Sequence, residues 1–195
     1  LFRGGENAFY DSTRASSLSR TGLNFIAGVM KHIKGICAVA NPLVNSYKRL
    51  VPGYEAPCCI VWTLSNRSAL IRIPAARGAG TRVELRSPDP AGNPYLLFAL
   101  LLSAGLEGIE RDLRPIPPAS SNVYDSSPEE RSARGIENLP ADLGEAVSAM
   151  KADPMIRETL GDHIFGKYTE AKEREWREYA NTVTEWELSH YLDRF

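Results

Sequence analysis

The chain has little cysteine, no excess of either charge and no long hydrophobic run. Its cysteines number three, Cys37 and the adjacent Cys58 and Cys59. An odd count containing an adjacent pair does not make a disulfide framework and fits a reducing, cytoplasmic compartment. A formal net charge of −1 argues against general binding to nucleic acid or to an anionic membrane surface. The longest apolar stretch, residues 95–104 broken only by Ser103, is too short to span a bilayer. No basic-then-apolar leader opens the chain, no segment repeats, and no boundary marks a second domain. The first residue is Leu1, and the opening LFRGG reads like the middle of something longer, so a fragment is expected. What is present is ordinary for a globular domain: 195 residues, 43% apolar and 24% charged. That length suffices for one core burying about 70% of the unfolded surface.

One further absence is local. No lysine stands between Lys48 and Lys151, whereas Arg67, Arg72, Arg77, Arg82 and Arg86 crowd one short region. A guanidinium is a planar fork matched to carboxylate and phosphate oxygens.

Periodicity supplies the elements. Residues 21–38 have helical spacing, with Ile26, Val29, Met30, Ile33 and Cys37 on one face. Three strands are predicted within 58–64, 70–73 and 81–86, separated by a turn at 66–68 and the flexible Gly78-Ala79-Gly80. Short connections imply antiparallel pairing. Asn93 as cap and Pro94 as first residue start a helix running to about Arg111. It is apolar nearly all round as far as Leu106 and is therefore expected to be buried. A Pro/Ser-rich loop covers 112–138. Leu143, Val147 and Met150 mark a short amphipathic helix. A longer helix is predicted from about His163, with an apolar stripe of Phe165, Tyr168, Trp176, Tyr179, Val183 and Trp186 that suits core or subunit packing. The predicted class is α+β, an antiparallel sheet with flanking helices.

Two segments carry chemistry. In 81–86 alternation sends Arg82, Glu84 and Arg86 to one side and Val83 and Leu85 to the other. Such a strand ordinarily faces solvent with ion pairs of little energetic worth. Against that stands Arg72, set within Leu70-Ile71-Arg72-Ile73, a costly place for a charge if its neighbours are buried. Guanidiniums on a sheet suit phosphoryl transfer, where charge develops on several oxygens at once. Glu84 is a hard oxygen donor of the kind Mg²⁺ prefers. The second segment, NPLVNSYKRLVPGYEAP over 41–57, is broken by Pro42, Pro52 and Pro57, yet carries Tyr47, Lys48, Arg49, Tyr54 and Glu55. Polar loops with fixed charges are where sites tend to sit.

This loop, together with NRSALIRIP and RGAGTRVELRSPDPAGNPYL, resembles type I glutamine synthetase, and the likeness continues through AGLEGI into EAKEREW. The resemblance implies the C-terminal portion of that family's catalytic domain over 1–195. It implies an ATP-dependent ligase making glutamine from glutamate and ammonia through a γ-glutamyl phosphate. Arg49 and Arg86 would bind glutamate, and Glu55 would sit on a flap, accepting a proton from attacking ammonia. Arg67 would stabilise the transferring phosphoryl group, Arg72 and Arg82 would contact ATP phosphates, and Glu84 would ligate Mg²⁺ or Mn²⁺. For Arg77 the resemblance leaves a nucleotide role open. His32, His163 and His190 do not fall in the family's metal motif and are expected to be structural or solvated. The remaining metal ligands would precede Leu1, so the isolated chain is expected to be inactive. The family's subunits form two stacked rings. Tyr124, in NVYD, resembles a tyrosine adenylylated in some members, although RGAGTR and ELSHYLDRF look more like the subgroup without that control. Two other readings remain: a relative ligating glutamate to another amine, and a noncatalytic assembly or regulator-binding module.

Overall fold

The computed structural model describes residues 1–51, 56–64, 69–119, 126–192 and 194, and these are arranged around one helix. This helix, α1 (Arg20–Ala40), begins where the Ser19 side chain accepts a hydrogen bond from the Gly22 N–H. Ile26, Val29, Ile33 and Cys37 of the predicted face are buried and Met30 is partly so, but Ala27, Ile36, Ala38, Val39 and Ala40 are buried as well. By length and composition α1 would suit a bilayer, yet 72% of the relevant window is buried inside the protein. It is a core helix. Burial pushes the Cys37 thiol up to about 12, leaving it a small packed hydrophobe rather than a nucleophile.

Helix α2 (Pro94–Glu110) starts as predicted, with Asn93 accepting from the Tyr95 and Leu96 N–H groups. It crosses α1 at backbone distance. A Cβ on Gly28 would lie 2.0 Å from the Ala104 carbonyl oxygen, and one on Gly108 2.2 Å from that of Asn24. The expectation that α2 is covered on all sides is corrected. Leu97, Leu100 and Ala104 are buried, but Tyr95 is 84% exposed, and Phe98, Leu102 and Leu106 also face outward. The described residues cover only one of its apolar sides.

The chain opens with a hairpin of β1 (Phe2–Arg3) and β2 (Glu6–Asn7). Gly4 and Gly5 supply its turn at φ of 60° and 87°, a conformation that favours glycine. The three predicted strands are found as β3 (Trp62–Thr63), β4 (Ile71–Arg72) and β5 (Glu84–Leu85), each shorter than expected. Antiparallel pairing holds for β4 with β5. It is corrected for β3 with β4, which run parallel with Trp62 opposite Ile71 and Thr63 opposite Arg72. A parallel pair needs a return path between its strands, and the turn predicted at 66–68 lies outside the described residues. The backbone around β3 is satisfied by the Pro/Ser loop instead of by more sheet. The N–H of Ala119 donates to the Trp62 carbonyl at 2.9 Å, that of Ile60 to Glu137 at 2.8 Å, and that of Leu139 to Cys58 at 2.7 Å.

Four helices follow: α3 (Pro128–Ala133), α4 (Leu143–Ala152), α5 (Pro154–Ala180) and α6 (Glu185–Tyr191). Helix α5 begins earlier than predicted because Asp153 caps it and Pro154 opens it, and Gly161 at φ 73°, ψ 157° kinks it. The expected aromatic stripe divides. Phe165, Tyr168 and Trp176 pack on the core, while Tyr179, Val183 and Trp186 are exposed. The helix stops at Ala180 and a Thr184–Glu187 capping box restarts it as α6.

His32 is structural, as expected, and joins three helices. Its Nδ1 lies 2.6 Å from Asp153 Oδ2 and its Nε2 3.0 Å from Glu107 Oε2. Glu107 also meets Lys31 at 2.6 Å and Arg111 at 3.2 Å. Desolvation pushes the Glu107 carboxyl up, but the Lys31 hydrogen bond and the charges of His32, Lys31 and Arg111 outweigh it and hold it below the ordinary 4.5. A depressed carboxylate stabilises the fold above its unfolded value and loses that contribution as pH falls through the folded one. The melting temperature of Glu107→Gln should therefore lie below wild type at neutral pH. That gap should narrow as pH drops below 4.5, as a pH series of thermal melts would show.

Candidate functional site

The β4–β5 register sets Arg72 directly opposite Glu84. Arg72 Nε and Nη2 lie 3.0 and 2.9 Å from Glu84 Oε2. Arg82 Nε and Nη2 lie 3.2 and 2.9 Å from Oε1. Each carboxylate oxygen thus receives one guanidinium fork, while Val83 and Leu85 pack toward the core, as alternation predicted. Desolvation pushes the Glu84 carboxyl up, and hydrogen bonds from Arg72 and Arg82 more than reverse this, so it sits below the usual carboxylate range. Glu84 is therefore ionised at neutral pH. The side chains of Arg72, Glu84 and Arg82 are 30%, 31% and 55% exposed, too open for the pairs to add much stability. Two cations hold one anion, so the face keeps a positive excess, and the guanidinium N–H groups outnumber the oxygens they share.

The ladder continues beyond β5, where the Arg86 N–H donates to the Leu70 carbonyl at 2.9 Å. The proline-broken loop reaches the same segment from the other direction. A short 3₁₀ turn, Val44–Lys48, follows α1 and delivers Arg49, whose Nη2 donates to the Ser87 carbonyl. The fold thereby brings together Arg49, Arg72, Arg82, Glu84 and the Arg86–Ser87 step. Arg77 is not brought in; its Nη1 donates to the carbonyls of its own turn, Pro74 and, at 3.0 Å, Ala76. Glu55, Arg67 and Tyr124 lie outside the described residues.

Sequence reading missed two asparagines. Asn7 Nδ2 donates to the Ala79 and Thr81 carbonyls at 3.1 and 2.7 Å, tying the N-terminal hairpin to the turn that precedes Arg82. Asn41 Nδ2 donates to the Ser87 carbonyl at 2.7 Å. All three bonds run to backbone oxygens far along the chain, which no spacing rule reveals. Only the helix-ending Asn41-Pro42 dipeptide signals that the second of these positions is special at all.

Glu84 offers one hard oxygen ligand, which suits Mg²⁺ or Mn²⁺. Among the described residues no group of three or more His, Cys, Asp or Glu could hold a metal, so one carboxylate is what this face contributes. His163 and His190 are exposed. A separate cavity of about 530 Å³, lined by Lys31, His32, Glu107, Arg111 and Asp153 among others, includes none of the arginines of the array.

Comparison with known proteins gives the array a context. The family described as glutamine synthetase, catalytic domain, matches residues 1–191. The glutamine synthetase of Clostridium saccharobutylicum is 53% identical over all of this chain and 44% of its own length. Those of Thermus thermophilus and Methanosarcina mazei are 55% and 56% identical, each over 98% of this chain and 43% of their own. A solved structure described as a GmaS/ADP complex superposes with a TM-score of 0.84 at 38% identity, over 97% of this chain and 43% of that one. The chain thus spans less than half the length of the relatives it matches.

Proposed function

The chain belongs to the glutamine synthetase catalytic-domain family, and we propose that it is part of an ATP-dependent ligase that makes glutamine from glutamate and ammonia. The observation that carries this reading is the Arg72–Glu84–Arg82 array, with Arg49 tied by its Nη2 to the Ser87 carbonyl next to Arg86. In the first step the side-chain carboxylate of glutamate attacks the γ-phosphate of ATP, giving γ-glutamyl phosphate and ADP. In the second, ammonia attacks the activated carbonyl, phosphate leaves, and Glu55 takes the proton. Arg72 and Arg82 hold the phosphates, Arg67 neutralises the charge on the transferring group, and Arg49 and Arg86 hold glutamate. A divalent metal, Mg²⁺ or Mn²⁺, would offset phosphate charge when bound, with Glu84 as one of its ligands. The same reading includes a cytoplasmic homo-oligomer of two stacked rings.

The likeness to GmaS, a protein of another name, motivates a second reading in which an amine other than ammonia is the nucleophile. Identities of 53–56% to glutamine synthetases against 38% to GmaS favour ammonia. The test is phosphate release and product formation by the complete polypeptide its gene encodes. ATP and glutamate would be supplied with ammonia, polyamines or ethanolamine in turn. Product with ammonia is expected; product only with another amine would favour the second reading, and none with any would sink both. Residues 1–195 purified alone should form no glutamine, because the described residues contribute a single metal carboxylate at the array, and turnover by that segment would overturn the expectation.

A further inference from the structure

The structure assigns to Asn41 the positioning of Arg49, through one shared carbonyl. This rests on the glutamate-binding role proposed for Arg49 and Arg86. Asn41 ends α1, its N–H donating to the Cys37 carbonyl at 2.8 Å. Its side chain is wholly buried, and Nδ2 lies 2.7 Å from the Ser87 oxygen. A carbonyl oxygen only accepts, so the atom facing it is the NH₂. Arg49 Nη2 donates to the same oxygen. One carbonyl with two lone pairs therefore holds both donors, and it belongs to the residue directly after Arg86. The same stretch is stitched to the end of α1 by the Asp89 N–H, which donates to the Ala40 carbonyl at 3.0 Å.

The cost of this arrangement is visible. Asn41 Oδ1 and Ser87 Oγ are both buried with no hydrogen-bond partner among the described residues. A buried amide that leaves its oxygen unpaired is a poor stabilising device. What it achieves is to fix the Ser87 carbonyl, and with it the angle of the guanidinium that carbonyl anchors. Arg49 has no carboxylate partner among the described residues, so its remaining N–H groups are available to a ligand carboxylate, and their direction depends on that anchor.

The test uses the complete polypeptide and the variants Asn41→Asp, which keeps the shape but replaces the donor by an acceptor, and Asn41→Ser, which is smaller. Losing a hydrogen bond that orients a charged group should raise KM for glutamate roughly 10- to 100-fold. KM for ATP should stay within about 2-fold, because the phosphate-facing array is not touched. In an Arg49→Ala background the Asn41 substitutions should add nothing further to glutamate KM, since they act through Arg49. The thermal shift induced by glutamate should shrink, and that induced by ATP should persist. Equal rises in both KM values, or full additivity with Arg49→Ala, would overturn the assignment as a merely structural effect. If Asn41→Asp does not fold, Asn41→Ser gives the same readouts. A wild-type protein that neither makes glutamine nor shifts with glutamate would instead overturn the functional reading on which this one stands.

Discussion

Gly108→Ala should melt about 10 °C below the parent protein, from a loss of roughly 3 kcal/mol. The substitution adds one methyl group to a helix, which in open space is favourable. Here the new Cβ would sit 2.2 Å from the Asn24 carbonyl oxygen and 2.7 Å from the Gly28 nitrogen. Both are backbone atoms of α1, so no rotamer change relieves the contact, and α1 and α2 must move apart. Separation loosens the packing of Ile26, Val29, Leu100 and Ala104, all of them nearly or fully buried. Gly28→Ala should behave alike, with its Cβ 2.0 Å from the Ala104 oxygen. Gly166→Ala is the control. It lies in α5 with nothing within 4 Å of its would-be Cβ, and should raise stability by up to about 1 kcal/mol. Thermal melts of the three variants decide the matter. A Gly108→Ala protein as stable as wild type would mean that the helices do not cross at backbone distance.

That crossing was not legible in the sequence, and the reason is physical. Residues 94–106 are apolar on every side, which says that the helix is hydrophobic but not which side is covered. Glycines spaced along it do not say what they touch. Local signals fared better. Asn93-Pro94 marked the start of α2 because a cap and a first-turn proline act within one turn. The same signal stands at Asp153-Pro154 and marks the start of α5, ahead of the apolar stripe that begins at Phe165. Alternation placed Arg82 and Glu84 on one face because a strand's period is fixed, and the β4–β5 pairing joins strands close in the chain. Partner choice for β3 was beyond reach. It pairs parallel to β4 while the loop around 116–119 and 137–139 takes up the backbone groups a longer strand would have used. The role of Asn41 is illegible for the same reason, since its partner is a backbone carbonyl with no side-chain identity to read.

On the proposed ligase function, Glu84→Gln should lower glutamine synthesis by the complete polypeptide at least about 100-fold, as loss of a charge-organising group in a phosphoryl-transfer site does. Its melting temperature should stay within about 3 °C of wild type, because ion pairs this exposed contribute little to stability. The two expectations separate function from folding at one residue. Gln keeps the shape of Glu and can still accept from one guanidinium, but it carries no charge to offset Arg72 and Arg82, whose forks converge on it from adjacent positions. Without that charge the two cations repel and turn away from the geometry in which they face one ligand. The carboxylate available to a metal disappears at the same time. Because its two arginine partners hold the Glu84 carboxyl below 4.5, the group stays ionised as pH falls toward that value. An acid loss of wild-type activity whose midpoint lies above 4.5 therefore belongs to another group. A Glu84→Gln enzyme with near-normal turnover would remove the array from the chemistry and leave it a surface ion-pair network. One that unfolds would show that the pairs stabilise far more than their exposure allows.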